Sequence, residues 1–127
     1  LSKLVFNDKK ALNQLNSLVH PVVNLSFKHW CKEQSSKYII KESAVLFESG
    51  YDADLDLIIC VSAPYELRVN RVKIRDGFTD QQVHERMLNQ WDEERKIGMS
   101  DYIIINDNKK FLIPQIIELN RLFLKVA

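Results

Sequence analysis

The sequence is poor in glycine, and the glycines it has form no nucleotide-binding loop. Gly50, Gly77 and Gly98 are the only three in 127 residues. Neither the phosphate loop G-x-x-x-x-G-K-[ST] nor the dinucleotide motif G-x-G-x-x-G occurs, so this stretch of chain cannot cradle a triphosphate in the usual backbone nest. The nucleophile elbow G-x-S-x-G of α/β-hydrolases is also missing.

The sequence also has no excess of charge of one sign, few cysteines and no long apolar run. The 18 basic and 17 acidic residues leave a net charge of +1, so nucleic-acid binding has no compositional support. The two cysteines form no disulfide framework, which favours a reducing, cytoplasmic setting. No signal-peptide pattern is present. Apolar runs of about five or six residues are too short to cross a bilayer, so no membrane association is expected.

Metal-binding patterns are absent from the sequence too. Residues 52–56 begin like a calcium loop, but Leu57 and Ala63 stand where that loop needs glycine and glutamate. The three histidines have no zinc-ligand spacing. No metal site is expected within this chain.

What the sequence does contain is apolar residues, 46% of the total, spaced as alternating helices and strands. Helical patterns cover about 8–20, 21–35, 64–76, 79–91 and 112–123, and strand-like runs cover 38–47, 57–61 and 102–105. His20–Pro21 is expected to separate the first two helices, because the residue before proline avoids the helical region. Buried strands alternating with helices predict an α/β fold with a parallel sheet covered on both faces.

Local signals refine two of these helices. Thr79 and Gln82 form a capping box that begins a helix, and Pro114 is confined to the first turn of the last one. The face of the Thr79 helix expected to be buried consists of Val83, Met87, Leu88 and Trp91.

Polar residues follow the predicted strands. Ligands of parallel α/β sheets bind beyond the carboxyl ends of the strands, which here are Phe47–Glu48, Ser62–Ala63 and Asn106–Asp107. Glu48 could hold a polar group of a ligand, or it could form only a local cap or a surface ion pair. Asn106 could recognise a base or ribose edge, or it could form only a turn.

An arginine row follows the strand-like run 57–61. Arg68, Arg71 and Arg75 lie within about 60° of one another on a helix, and a glycine turn at Gly77 separates them from Arg86. The row suits a mobile clamp for phosphate, or it is a solvated basic face. His20 either ends a helix or contacts a ligand.

The order of these residues resembles the dephospho-coenzyme A kinase family. From about residue 38 to residue 108 the family pattern fits without a gap. The matching positions are Val5-Phe6-Asn7-Asp8, Leu12, Leu15, Leu18-Val19-His20-Pro21, Leu46-Phe47-Glu48-Ser49-Gly50, Ala63-Pro64, Arg71, Arg75-Asp76-Gly77, Arg86, Gln90, Lys96, Asp101 and Asn106.

The resemblance implies a P-loop-kinase-like three-layer α/β/α fold with a parallel sheet. It implies that the parent enzyme transfers the γ-phosphoryl of ATP, with Mg²⁺, to the 3′-hydroxyl of dephospho-coenzyme A in the last step of coenzyme A biosynthesis. It also implies a single kinase domain, truncated at its amino terminus. A helical substrate-binding region would lie at 1–37, and an α/β part with a lid at about 75–92 would lie at 38–127.

The resemblance also implies roles for individual residues. The acceptor would be bound by His20, Leu46, Phe47 and Glu48. The nucleotide would be bound by Arg71 and Asn106, and phosphate charge would be stabilised from the lid by Arg75 and Arg86. Arg68 has no counterpart in the family, which favours the interpretation as a solvated residue.

The chain also departs from the family pattern. The family's phosphate loop precedes Leu1, so this chain is expected to be inactive alone. Glu42-Ser43-Ala44 replaces the usual Asp-x-Pro, and Asn108 stands where glycine is common, in a left-handed turn that asparagine tolerates. A sheet lacking a strand would expose an edge, which predicts a possible homo-oligomer. The alternatives are another nucleoside or nucleotide kinase, or a binding domain without catalysis.

Overall fold

The computed structural model describes residues 8–126, which form two compact units, one within residues 1–41 and one within 42–127. The first unit contains helix α1 (Lys9–Lys32). In chain order, the second contains a short 3₁₀ turn (Asp52–Asp54), β1 (Ile59–Ser62), α2 (Tyr65–Asp76), α3 (Asp80–Met87), α4 (Glu93–Gly98), β2 (Tyr102–Ile105) and α5 (Leu112–Val126). Within the described residues, no helix is long and apolar enough to cross a membrane.

Helix α1 is continuous through Pro21, so the predicted break at His20–Pro21 is wrong. Asp8 caps the helix, with its Oδ1 accepting hydrogen bonds from the N–H groups of Lys10 at 2.8 Å and Ala11 at 3.2 Å. A proline inside a helix removes one backbone hydrogen bond and strains one turn. Helical residues extend on both sides of Pro21, and their remaining hydrogen bonds outweigh that local cost.

The predicted strand at 38–47 is also wrong. Residues 38–43 have no regular structure, and residues 44–50 form turns, with Ser49 N–H donating to Val45 O at 3.0 Å and Gly50 N–H donating to Phe47 O at 3.1 Å. A strand requires a neighbouring strand for its backbone groups. The sheet of the described residues consists of β1 and β2 alone, and the turns satisfy part of this backbone locally.

The parallel sheet predicted from the alternation of elements is confirmed. β1 and β2 pair in parallel with Ile59 opposite Tyr102 and Ser62 opposite Ile105. Helix α5 is fixed to the end of β2 by Gln115, whose side-chain amide accepts from the N–H of Ile105 at 2.9 Å and donates to its carbonyl at 3.0 Å. The fold class is therefore a helix-rich α/β protein with a parallel sheet.

The local signals correctly place the end of one helix and the start of the next, but the helix predicted at 79–91 is too long, since α3 ends at Met87. Gly77, at φ 67°, ends α2, and Thr79 and Gln82 form the capping box that begins α3. Val83 on α3 is buried, whereas Leu88 was expected on the buried face and is 71% exposed. Leu88 lies at the C-cap of α3, where the chain leaves the helix, so the helical spacing no longer predicts its side-chain direction.

Candidate functional site

The carboxyl ends of both strands meet at one edge of the sheet. The N–H of Asn106, directly after β2, donates to the carbonyl of Ser62 at the end of β1 at 2.8 Å. Beside this junction, Glu93 of α4 accepts from the hydroxyl of Ser62 and, at 3.1 Å, from the N–H of Ala63. The edge is thus lined by backbone ends and polar side chains, as the strand positions predicted.

Arg68 closes the end of β1 rather than facing solvent freely. Its guanidinium forms an ion pair with Glu93 and donates from Nε to the carbonyl of Ala63 at 3.0 Å. Arg68 therefore has a structural role, and its interpretation as a solvated residue is wrong. Glu93 is a residue that sequence reasoning missed, because its partners lie about thirty positions away in the chain.

Arg71 lies against the loop that follows β2. Nη1 donates to the carbonyl of Asn106 at 3.1 Å, and Nη2 donates to the side-chain oxygens of Asn106 at 3.0 Å and of Asn108 at 2.6 Å. Asn108 adopts the left-handed conformation, at φ 65°, as expected for a position where glycine is common. The structure thus brings together Arg71 and Asn106, the two residues predicted to contact a nucleotide.

An open depression of about 540 Å³ adjoins this loop. Residues 106, 108 and 109–114 line it, including the lysines at 109 and 110 and the exposed ring of Phe111. Asp107 turns the chain here, because its Oδ1 accepts from the N–H groups of Lys109 at 2.9 Å and Lys110 at 2.8 Å. These hydrogen bonds lower the pKa of Asp107, and the one from Lys110 has the larger effect.

Glu48 forms the second cluster of the unit. Its Oε1 accepts from the N–H of Trp91 at 2.7 Å and pairs with Nζ of Lys96 at 3.2 Å. Burial raises the pKa of Glu48. The hydrogen bonds from backbone N–H groups and the Lys96 ammonium lower it by more than burial raises it, so the net shift is downward. Of the two alternatives for Glu48, the ion pair is present, and it is largely buried rather than on the surface.

An aromatic stack supports Glu48. The rings of Phe47 and Trp91 lie parallel within 4°, with centroids 5.9 Å apart, and the Arg95 guanidinium lies 3.3 Å from the Trp91 ring centroid. Phe47 is buried and Leu46 is half-buried. Sequence reasoning placed Trp91 on a buried helix face and did not assign Arg95 or Lys96 to the site, because no local pattern pairs them with Phe47 or Glu48.

The two arginines predicted to act from a lid, Arg75 and Arg86, lie in the last turns of α2 and α3. Arg75 is exposed and forms a bidentate pair with the adjacent Asp76, at 2.8 Å for both bonds. Arg86 lies 3.9 Å from the ring centroid of Phe78. The hydrogen bond from Arg75, together with the positive charges of Arg75 and Arg86, lowers the pKa of Asp76. A carboxylate thus occupies the planar fork of Arg75 that matches phosphate geometry.

His20 lies in the first unit, half-buried on α1. Because α1 continues to Lys32, the alternative that His20 ends a helix is wrong. Its proposed contact with the acceptor stays a prediction.

The parallel sheet has polar groups beyond both strand ends, and two arginine-bearing helices are joined at a left-handed glycine. These features define a helix-rich α/β protein with a candidate ligand site at the carboxyl edge of its sheet. A family model described as dephospho-CoA kinase matches residues 1–111. This chain therefore belongs to the dephospho-CoA kinase family.

Individual relatives agree with this assignment. The dephospho-CoA kinase of Bacteroides fragilis is 39% identical over 120 residues, which are 94% of this chain and 58% of the relative. That of Porphyromonas gingivalis is 34% identical over 121 residues, 94% of this chain and 59% of the relative. A solved structure from Thermus thermophilus matches with a TM-score of 0.81 and 28% identity, over 99% of this chain and 65% of that one. The chain thus spans under two thirds of these relatives.

Proposed function

We propose that this chain is part of a kinase that transfers the γ-phosphoryl of ATP to the 3′-hydroxyl of dephospho-coenzyme A. The observation that carries the proposal is the grouping of Arg71, Asn106 and Asn108 beside an open depression at the carboxyl edge of the sheet, in a chain of this family. Phosphoryl transfer depends on positioning and charge stabilisation rather than on covalent chemistry by the protein.

The nucleotide would lie at the loop after β2. Its base fits an open depression with an exposed aromatic ring at Phe111, and its phosphates fit the ammonium groups of Lys109 and Lys110. Arg71 would act by holding Asn106 and Asn108 in place, since three of its donors are already bound to them. ATP, with Mg²⁺, supplies the phosphoryl group when bound.

The segment at about 75–92 would act as the lid. Guanidinium groups stabilise the charge that spreads over a transferring phosphoryl group, and Arg75 and Arg86 are proposed for this role. Because Asp76 occupies the fork of Arg75, an incoming phosphate would take over these hydrogen bonds as the lid closes.

The acceptor would be held by Leu46, Phe47 and Glu48, and by His20 from a helical region at 1–37. The remaining α/β part, 38–127, would be the rest of a single kinase domain. We further propose a cytoplasmic location. The edge of β1 that β2 leaves unpaired among the described residues could pair with a second copy of this chain.

The chain alone is proposed to transfer no phosphoryl group, because its sequence holds no phosphate-loop motif. A coupled assay of the 127 residues with ATP and dephospho-coenzyme A should therefore give no turnover. Measurable turnover by these residues would contradict this part of the proposal.

Acceptor selectivity tests the proposed function. The intact protein that contains this chain is assayed with ATP and equal concentrations of dephospho-coenzyme A, AMP or CMP. We expect phosphorylation of dephospho-coenzyme A and at least about a hundredfold lower kcat/KM for the nucleotides. A preference for a nucleoside monophosphate would favour another nucleotide kinase, and ligand binding without turnover would favour a binding domain.

A further inference from the structure

One carboxylate oxygen of Glu48 has hydrogen-bond partners, and the other has none within the described residues. Oε1 accepts from Trp91 N–H and pairs with Lys96, while the side chain as a whole is 15% exposed. Oε2 is buried and has no hydrogen-bond partner within residues 8–126. Buried polar atoms nearly always have a partner, so Oε2 calls for a hydrogen-bond donor that residues 8–126 do not supply.

The partner of Oε2 must be a hydrogen-bond donor, because an ionised carboxylate only accepts. Lys96 already balances the charge of Glu48 at 3.2 Å, and its ammonium would repel a second cation at this distance. A phosphate oxygen is also excluded, because it is an anion and would be repelled by the carboxylate. A neutral hydroxyl or amide N–H meets both conditions.

The geometry around Oε1 holds Oε2 in place. Phe47, next to Glu48, stacks on Trp91 with centroids 5.9 Å apart, and Arg95 covers the Trp91 ring at 3.3 Å. Lys96 also donates to the carbonyl of Ala44 at 3.4 Å. The carboxylate is therefore held from two segments, the turns at 44–50 and the chain that enters α4. A fixed acceptor discriminates between ligands more sharply than a mobile one.

We propose that Glu48 is a two-sided binding residue, with Oε1 holding the chain at Trp91 and Oε2 accepting a hydrogen bond from a neutral hydroxyl or amide N–H of the acceptor substrate. The inference rests on the proposed function and names the chemistry of one contact within it. Dephospho-coenzyme A offers both kinds of donor, a ribose 2′-hydroxyl and the hydroxyl and amides of its pantetheine arm.

Glu48→Gln separates the two oxygens. Glutamine can still accept from Trp91 N–H with its carbonyl, but its amide then presents a donor where Oε2 accepts. An amide N–H of the acceptor would then face a second donor, and a hydroxyl would exchange a hydrogen bond to a charged oxygen for a weaker one to a neutral amide. In either case we expect KM for dephospho-coenzyme A to rise about fivefold or more in the intact protein, with KM for ATP unchanged. Glu94→Gln is the matched control, because it removes the same charge from an exposed position of α4 and should leave both constants unchanged.

A 2′-deoxy acceptor identifies which donor is bound. If Oε2 binds the 2′-hydroxyl, the wild type should lose affinity for the deoxy acceptor while Glu48→Gln loses little more. If Oε2 binds the pantetheine arm, the affinity lost through the deoxy acceptor and the affinity lost through Glu48→Gln should add. Either pattern supports the inference. It is overturned if KM for dephospho-coenzyme A in Glu48→Gln stays within twofold of the control, or if KM for ATP rises equally, as a merely structural role would produce.

Calorimetric titration keeps this test independent of the proposed function. Dephospho-coenzyme A is titrated into the intact wild type, Glu48→Gln and Glu94→Gln, with thermal unfolding as a check that each is folded. Absence of phosphorylation by the wild type contradicts the proposed function. An unchanged Kd in Glu48→Gln contradicts the present inference, whether or not the wild type turns over.

Discussion

Glu48 and Trp91 are 43 positions apart in the chain, yet they share a hydrogen bond of 2.7 Å that joins the turns at 44–50 to the segment before α4. The Lys96 ammonium lies at 3.2 Å from the same oxygen. A charged acceptor strengthens a hydrogen bond and, in a largely buried position, is weakly screened by salt. Glu48 is therefore a stabilising residue as well as a candidate contact for substrate.

The stability that Glu48 contributes should depend on pH. Its folded-state pKa lies below the ordinary value of 4.5, so the contribution is complete above that value and disappears as the pH falls through the lower folded-state pKa. At neutral pH we expect Glu48→Gln to lower the free energy of unfolding by about 1 kcal/mol. Urea denaturation of both proteins, from neutral pH to well below 4.5, should show this difference vanish. A difference that stays constant across the range would contradict the assignment.

Arg71 makes a second prediction at this scale. Lysine has a single nitrogen and cannot reproduce three hydrogen bonds from two guanidinium nitrogens to Asn106 and Asn108. In the intact protein, Arg71→Lys should raise KM for ATP about tenfold and leave KM for dephospho-coenzyme A unchanged. Arg121→Lys, on the exposed side of α5, is the matched control. Equal KM values for ATP in the two variants would contradict the role proposed for Arg71.

Sequence reasoning reached part of this site and missed the rest for a physical reason. Asn106 directly follows an apolar strand, and Arg71 lies on the helix after the neighbouring strand, so a parallel sheet brings them to one edge. The charged partners of Glu48 and Arg68, Lys96 and Glu93, by contrast come from α4, a helix of six residues that apolar spacing did not predict. Without that helix, no apolar spacing indicates that Glu93 lies at the end of β1 or that Lys96 lies beside Glu48.

At the scale of elements, signals within a few residues predicted the helix ends at Gly77 and Thr79, because caps and turns depend on local backbone geometry. The strand predicted at residues 38–47 is wrong, because a strand depends on a partner strand elsewhere in the chain. The apolar spacing around Pro21 was read as two helices. It belongs to one, since the cost of a proline is local while the helix extends over 24 residues.

Gly77 gives the prediction at this scale. Its φ of 67° disfavours any side chain, although a Cβ there would meet no atom within 4 Å. Gly77→Ala should therefore lower the free energy of unfolding by about 1 kcal/mol through backbone strain alone. Gly98→Ala is the matched control at a helical position, also open around the Cβ, and should leave stability unchanged or raise it by up to about 1 kcal/mol. Chemical denaturation measures both, and equal effects would contradict the left-handed assignment.

At the scale of the whole molecule, the alternation of apolar strands with helices was enough to predict a parallel α/β fold. The structure has compact units within 1–41 and 42–127. No local composition marks such a boundary, and the regions expected at 1–37 and 38–127 came only from the family resemblance. Membership of the dephospho-CoA kinase family rests on the match over residues 1–111, whereas the catalytic roles of Arg75 and Arg86 are proposals.

The most direct test of the central proposal is kcat for coenzyme A formation by the intact protein carrying both Arg75→Gln and Arg86→Gln. Loss of the two guanidinium groups proposed for the lid should lower kcat at least about a hundredfold, because such groups stabilise a transferring phosphoryl group. KM for dephospho-coenzyme A should change little. Arg121→Gln, on α5, should keep the wild-type kcat. Coenzyme A formation by the double variant within twofold of the wild type, or none by the wild type itself, would contradict the account.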